Sequence, residues 1–339
     1  MRKTVLLLTT MSLALILAGG VALAATKQCQ VGVLCNGTSS ADAITGTASN
    51  DTINGLAGND RISARAGIDK INGGSNNDTM NGGFGNDTYK FATYWGADSI
   101  SADSGGVDTL SFAQHSTAYP NGLGVGAYLT GDGSTLCPPD SNPCFTIQGG
   151  DYIENLVGTR FADGLFGNTL NNRINSGGGG DFSEPNQLDG QSGGDTYAGY
   201  APNGTALRVD VILDSGGSTN IDKLDLTQFN LSDLSFSTAA SGSSGFNIDT
   251  LFIDVPGDDA IYLRTYFNGT SGAFCENGSG TGLIEKIMFA DDPSVDFAQV
   301  RQLLGCTGSA QAAVSEEPPN LKLRYHSEPL NGLTTNLTR

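Results

Sequence analysis

Aspartate stands at every ninth position between Gly46 and Phe91: Asp51, Asp60, Asp69, Asp78 and Asp87. Two residues after each comes a larger side chain, in turn Ile53, Ile62, Ile71, Met80 and Tyr89. Carboxylates held at constant spacing are ligands for a hard cation, and Gly-rich neighbours bring backbone carbonyls close enough to complete its shell. The phase extends back to Asp42 and Ile44, giving six consecutive nonapeptides from Gly37 to Lys90. Their first slot holds Gly37, Gly46, Gly55, Ala64, Gly73 and Gly82, and their fourth Ser40, Ser49, Gly58, Gly67, Asn76 and Gly85. A Gly- and Asn-rich linker would not hold phase over six repeats, whereas a fixed short period is the mark of a solenoid.

Nine residues accommodate one tight turn and one short strand. The Gly-rich first six suit the turn, and the last three, such as Thr52-Ile53-Asn54, suit a strand with one side chain inward. Two nonapeptides make one coil of a flattened helix, and stacked coils make two parallel sheets around a column of Ile, Met and Tyr. That column is too thin to offset the ordering entropy of so many glycines. Each Asp lies above the Asp two repeats earlier, so one turn edge carries Asp42, Asp60 and Asp78 and the other Asp51, Asp69 and Asp87. Coils ~4.8 Å apart bring these carboxylates into repulsion unless a cation lies between them. Ca²⁺, which takes carboxylates and carbonyls at ~2.3–2.6 Å, fits that place.

These residues resemble the RTX, or haemolysin-type, calcium-binding repeat G-G-x-G-x-D-x-U-x. Gly82 to Lys90, GGFGNDTYK, fits it with Tyr89 in the large apolar slot. The resemblance implies a parallel β-roll with Ca²⁺ in the turns, a bacterial source, and Asp42, Asp51, Asp60, Asp69, Asp78, Asp87, Gly58, Gly67 and Gly85 as site residues. Arg65 in a Gly slot, and Ser40, Ser49 and Asn76 in the fourth slot, depart from the pattern and point to weaker sites. The phase returns at 158–175, with Asp163 and Asn172 in the acid slot, continues with Asp181, and is restored after an insertion at 190–198 with Asp195. Asp163, Asp181 and Asp195 are the candidate ligands of this second block, where fewer or weaker Ca²⁺ sites are expected.

The 339 residues include 48 Gly and carry a formal charge of −18, with only 17 Lys and Arg. That balance argues against nucleic acid, which needs a basic face, and fits a cation binder that repels itself without its ions. Residues 1–25 read as a secretory signal peptide: Arg2 and Lys3, an apolar run, then Ala22-Leu23-Ala24 as a small-x-small cleavage signal. The apolar run is also long enough to be an uncleaved anchor; cleavage leaves no stable membrane insertion and a secreted, extracellular protein. Six cysteines in an exported chain suggest three disulfides. Closeness favours Cys29–Cys35, Cys137–Cys144 and Cys275–Cys306, the first placed to close the open end of the roll.

The expected fold is all-β: residues 26–95 as a Cys cap and first roll block, 96–157 as a β-rich connection, and 158–200 as the second block. Residues 201–306 form a β-rich C-terminal domain with one helix from Asp292 to Gly305, where Asp292 is the N-cap and Pro293 opens the first turn, and 307–339 is a disordered tail. The chain has no His-Glu-x-x-His motif and no Gly-x-Ser-x-Gly elbow, and His115 has no evident nucleophile beside it. The reading is a non-enzymatic, structural or adhesive calcium binder with an unidentified cell-surface or polysaccharide partner. The alternative is a polysaccharide-active enzyme or lectin with its site in 201–306, for which Trp95, the single Trp, is thin support.

Overall fold

The computed structural model describes residues 25–92, 95–101, 105–116, 123–129, 134–136, 145–147, 152–180, 185–200, 208–212, 220–238, 250–255, 259–264, 284, 286–291 and 295–296. The N-terminal apolar run, Cys137, Cys144, Cys275, Cys306, Asp181 and the segment 307–339 lie outside them. No helix among the described residues is long and apolar enough to cross a membrane.

Each nonapeptide of the first block yields one short strand from its last slots: four residues in the first, Asp42–Thr45, and three in the rest, Thr52–Asn54, Arg61–Ser63, Lys70–Asn72, Thr79–Asn81 and Thr88–Lys90. The middle residue of each three-residue strand is buried and its neighbours face outward, as alternation along a strand requires. Pairing is parallel with an 18-residue register: Ile44 faces Ile62 and Ile62 faces Met80 on one sheet, Ile53 faces Ile71 and Ile71 faces Tyr89 on the other. The expected β-roll is therefore the observed one.

The stack does not stop at the first block. One sheet of 11 strands runs from Cys35–Asn36 through Thr88–Lys90, Thr109–Ser111, Asn155–Val157, Arg173–Asn175, Thr196–Tyr197, Lys223–Leu226 and Lys286–Phe289. Its inward column continues through Leu110, Leu156, Ile174, Tyr197, Leu224 and Ile287, all buried. On the opposite side, a sheet of five strands ends at Ser99–Ile100, and a sheet of seven takes Leu123–Tyr128, Ala162–Phe166, Asn186–Asp189, Arg208–Ile212 and Asp259–Arg264 before turning antiparallel. The β-rich character expected of 201–306 is met where the chain is described, and the 11-stranded sheet crosses the boundaries drawn at 95, 157 and 200.

Two ends of the stack are closed. Cys29 and Cys35 form a disulfide, and Cys35, paired in register with Ile53, is the first inward residue of the 11-stranded sheet. At the far end the helix expected from Asp292 is not formed where the chain is described: Val295–Asp296 is a strand antiparallel to Lys286–Phe289. The edge strand's open N–H and C=O groups take up that segment as a pairing partner. Residues 297–305 lie outside the described set.

Candidate metal centre

Every acid of the first block is the residue just before or at the start of a strand, at the point where the turn enters the sheet. Its backbone N–H points along the stack to the next coil, and from Asp60 onward its carboxylate receives the N–H of the coil before. Asp42 donates to Asp60 Oδ1 at 2.7 Å, Asp60 to Asp78 Oδ1 at 2.8 Å, and Asp78 to Asp98 Oδ1 at 2.8 Å. On the other edge Asp51 donates to Asp69 Oδ1 at 2.7 Å, Asp69 to Asp87 Oδ1 at 2.8 Å, Asp87 to Asp108 Oδ1 at 2.7 Å, and Asp108 to Glu154 Oε2 at 2.7 Å. Where repulsion between stacked carboxylates called for an intervening cation, the structure places a backbone N–H. A charge-assisted bond of this kind is stronger than a neutral one, and it accounts for one oxygen of each carboxylate.

The second oxygen is a different matter. Asp60, Asp69, Asp78 and Asp98 expose only 2%, 0%, 2% and 2% of their surface, and in each Oδ2 accepts no hydrogen bond. Burial pushes the Asp78 and Asp98 carboxyls up to about 7 against the partial relief of the N–H bonds they accept. Burial also lifts Asp69 to about 6 and raises Asp60, with the neighbouring aspartates adding to both. Buried acceptors without donors are costly, and a buried charge far more so. A cation is the natural complement.

The donor set identifies the kind of cation. Among the described residues no three side chains of His, Cys, Asp or Glu converge. Zn²⁺, which wants four side-chain N or S ligands, is poorly served. Ca²⁺ accepts backbone carbonyls, and these are packed around the acids. A Cβ placed on Gly55 would overlap both Asp60 Oδ2 and the carbonyl oxygen of Gly73 one coil on. The same construction on Gly74 and Gly83 meets the carbonyls of Leu56 and Arg65. These bare Cα positions are the cradles through which carbonyls approach the acid column. Gly58, Gly67 and Gly85 hold positive φ of 118°, 137° and 123°, and Gly67 O abuts Gly85. Arg65 is exposed, so its side chain does not enter the column.

In the second block Asp163 Oδ1 accepts Val125 N–H at 2.7 Å and Asp163 N–H bonds Asn186 Oδ1 at 2.8 Å. Asp195 Oδ1 accepts Asn172 N–H at 2.7 Å, and Asp195 donates to Asp222 Oδ1 at 2.6 Å. The columns thus include Asp98, Asp108, Glu154, Asn186 and Asp222, which a strict period of nine does not reach. The signal that finds them is an acid or amide two residues before a buried aliphatic: Ile100, Leu110, Leu156, Leu188 and Leu224.

A stack of parallel strands with a continuous carboxylate column at its turns defines a β-roll of the aspartate-turn type. Residues 36–71 and 55–89 match the family of the RTX calcium-binding nonapeptide repeat (4 copies). The first block therefore consists of RTX calcium-binding repeats. Comparison with curated proteins gives no match.

Proposed function

We propose that the protein is a secreted, non-enzymatic, structural or adhesive roll whose central turns take up Ca²⁺ and fold as they do so. The observation that carries this is the set of four buried carboxylate oxygens, in Asp60, Asp69, Asp78 and Asp98, without a hydrogen-bond donor. A net charge of −18 against 17 basic residues supports it, because side-chain pairing cannot neutralise the acids. When bound, Ca²⁺ supplies the positive charge that the interior of each turn edge lacks; the chain's own residues set the register through the N–H ladder. The N-terminal apolar run with its small-x-small end supports export.

Isothermal titration of the chelator-stripped full chain with CaCl₂, followed in parallel by circular dichroism, tests the reading. Binding at several sites with a gain of β signal is the expected result. No heat and no spectral change up to millimolar Ca²⁺ would overturn it.

A further inference from the structure

The turns fall into two backbone classes, and the class follows the second slot of the repeat. In the first class that slot is Thr or Asn, φ stays negative there, and the acid-slot side chain is bonded within its own turn. Thr38 donates its N–H to Asp42 Oδ2 at 2.5 Å, with its hydroxyl 3.2 and 3.0 Å from the two carboxylate oxygens. Thr47 does the same to Asp51 at 2.6, 3.2 and 3.0 Å, and Thr159 to Asp163 at 2.7, 2.9 and 3.2 Å. Asn168 N–H bonds Asn172 Oδ1 at 2.8 Å in a turn whose acid slot carries no charge.

In the second class Leu56, Arg65, Gly74, Gly83 and Gln191 hold the slot at φ of 83°, 83°, 107°, 102° and 68°. Side chains rarely adopt that conformation, so Leu56 and Arg65 are held there by the stack. Slot four is also left-handed in these turns, at Gly58, Gly67, Asn76, Gly85 and Gly193. Asp60, Asp69 and Asp78, each at least 98% buried, head three of these turns with Oδ2 lacking a donor.

We infer that slot two selects the ion. A Thr there closes the turn with an N–H and a hydroxyl donor aimed at the acid, and Asn168 closes its turn with an N–H to Asn172 Oδ1 while Asn172 Nδ2 donates back to Asn168 Oδ1 at 3.1 Å, so a cation approaching such a turn meets hydrogens of the same sign. A residue at positive φ leaves the oxygen for Ca²⁺. Among the turns that keep the nine-residue phase, Ca²⁺ is accordingly confined to 55–60, 64–69, 73–78, 82–87 and 190–195. The turns ending at Asp42, Asp51, Asp163 and Asn172 form without it. The closed turns stand at the first coil on both edges, and again where the nine-residue phase resumes at 158–172 within the continuous stack. They give each run a metal-independent platform on which open turns stack.

This inference rests on the calcium reading above, and native mass spectrometry of the full chain in CaCl₂ separates the two. Leu56→Thr should lose one ion, and Thr47→Gly with Ser49→Gly should gain one. Asp51→Asn should leave the count unchanged while Asp69→Asn lowers it by at least one. A wild-type chain that holds no Ca²⁺ overturns the calcium reading and this inference with it. A chain that holds Ca²⁺ but loses equally from Asp51→Asn and Asp69→Asn, or keeps its full count in a folded Leu56→Thr variant, overturns the selection by slot two alone. Should Leu56→Thr fail to fold, the two Asp→Asn variants, which keep the side-chain shape, decide.

Discussion

Stripping calcium should collapse the central coils, and the structure bounds by how much. In Asp60, Asp69, Asp78 and Asp98 a buried carboxylate oxygen lacks a donor. With a Kd of ~10⁻⁴ M, typical of extracellular modules, and ~1 mM Ca²⁺, ligand linkage contributes about 1.4 kcal/mol per ion. Counting only one ion for each of Asp60, Asp69, Asp78 and Asp98, the sum is roughly 6 kcal/mol, comparable with the whole stability of an ordinary domain at ~5–15 kcal/mol. At ~2–4 °C per kcal/mol for a unit of this size, that is about 10–25 °C in Tm. The assay is differential scanning calorimetry of the full chain in 1 mM CaCl₂ and in EGTA, with MgCl₂ as control. Mg²⁺ demands a stricter octahedron and keeps its waters, so it should restore little of the shift. A Tm that moves by less than about 2 °C on chelation would refute the reasoning, because the orphaned carboxylates would then be relieved without an ion.

Other outcomes follow from the same geometry. In metal-free protein, the carboxyls of Asp78 and Asp98 at about 7 and Asp69 at about 6, raised from 3.8, hold protons that the unfolded chain has released. Stability should therefore fall as pH rises from about 4 to 7, and urea midpoints of chelator-stripped protein should be higher at pH 5 than at pH 8; the reverse order would contradict the burial of these acids. Tyr89→Phe should cost about 1–3 kcal/mol in a urea titration, because the Tyr89 hydroxyl accepts the buried Gly82 N–H at 2.7 Å and its loss strands that donor. Arg208→Met should cost roughly 3–5 kcal/mol, equally with and without calcium, because it strands the fully buried Asp210 that Arg208 pairs at 3.1 Å; a cost that disappears in EGTA would place Asp210 among the metal ligands.

Much of the roll was legible because its period is rigid where the turns are all alike. From Gly37 to Lys90 one repeat gives one strand, and the inward slot needs only an aliphatic or Tyr to be read. The later coils were legible as strands but not as members of the same stack. Asp78 and Asp98 are 20 residues apart, Asp87 and Asp108 21, and Asp195 and Asp222 27, yet each pair is joined by the same N–H to carboxylate bond. Extra residues loop out at turns, where lengthening a loop costs little entropy, so the period is lost while the register is kept. The division of turns by slot two was hidden for another reason. Thr38 and Leu56 are both tolerable in a loop, and only the backbone angle and the donor it frees distinguish them. The helix expected at Asp292 failed because capping residues report local preference, and an unpaired sheet edge outweighs it.

The acid columns are neutralised by three devices in sequence. The first coil uses Thr donors on Asp42 and Asp51. The coils that follow present Asp60, Asp69, Asp78 and Asp98 with an oxygen free of donors. Toward the C-terminal side the same position in the seven-stranded sheet is taken by Asp210, whose oxygens accept Arg208 Nε at 3.1 Å, Tyr200 Oη at 2.7 Å, Ser176 Oγ at 3.1 Å and Asn186 Nδ2 at 2.7 Å. Of these three only the middle one draws on solvent ions, and the second-slot rule adds the later turn 190–195 to it. In a stack where each coil contacts its neighbours alone, stability is a sum of local terms and interfaces. A first coil stapled by Cys29–Cys35 and a later coil carrying an internal ion pair, both complete without ions, hold the register while the coils between them wait for theirs. Calcium dependence is then a property of particular turns, written residue by residue in the second slot, and not of the roll as a whole.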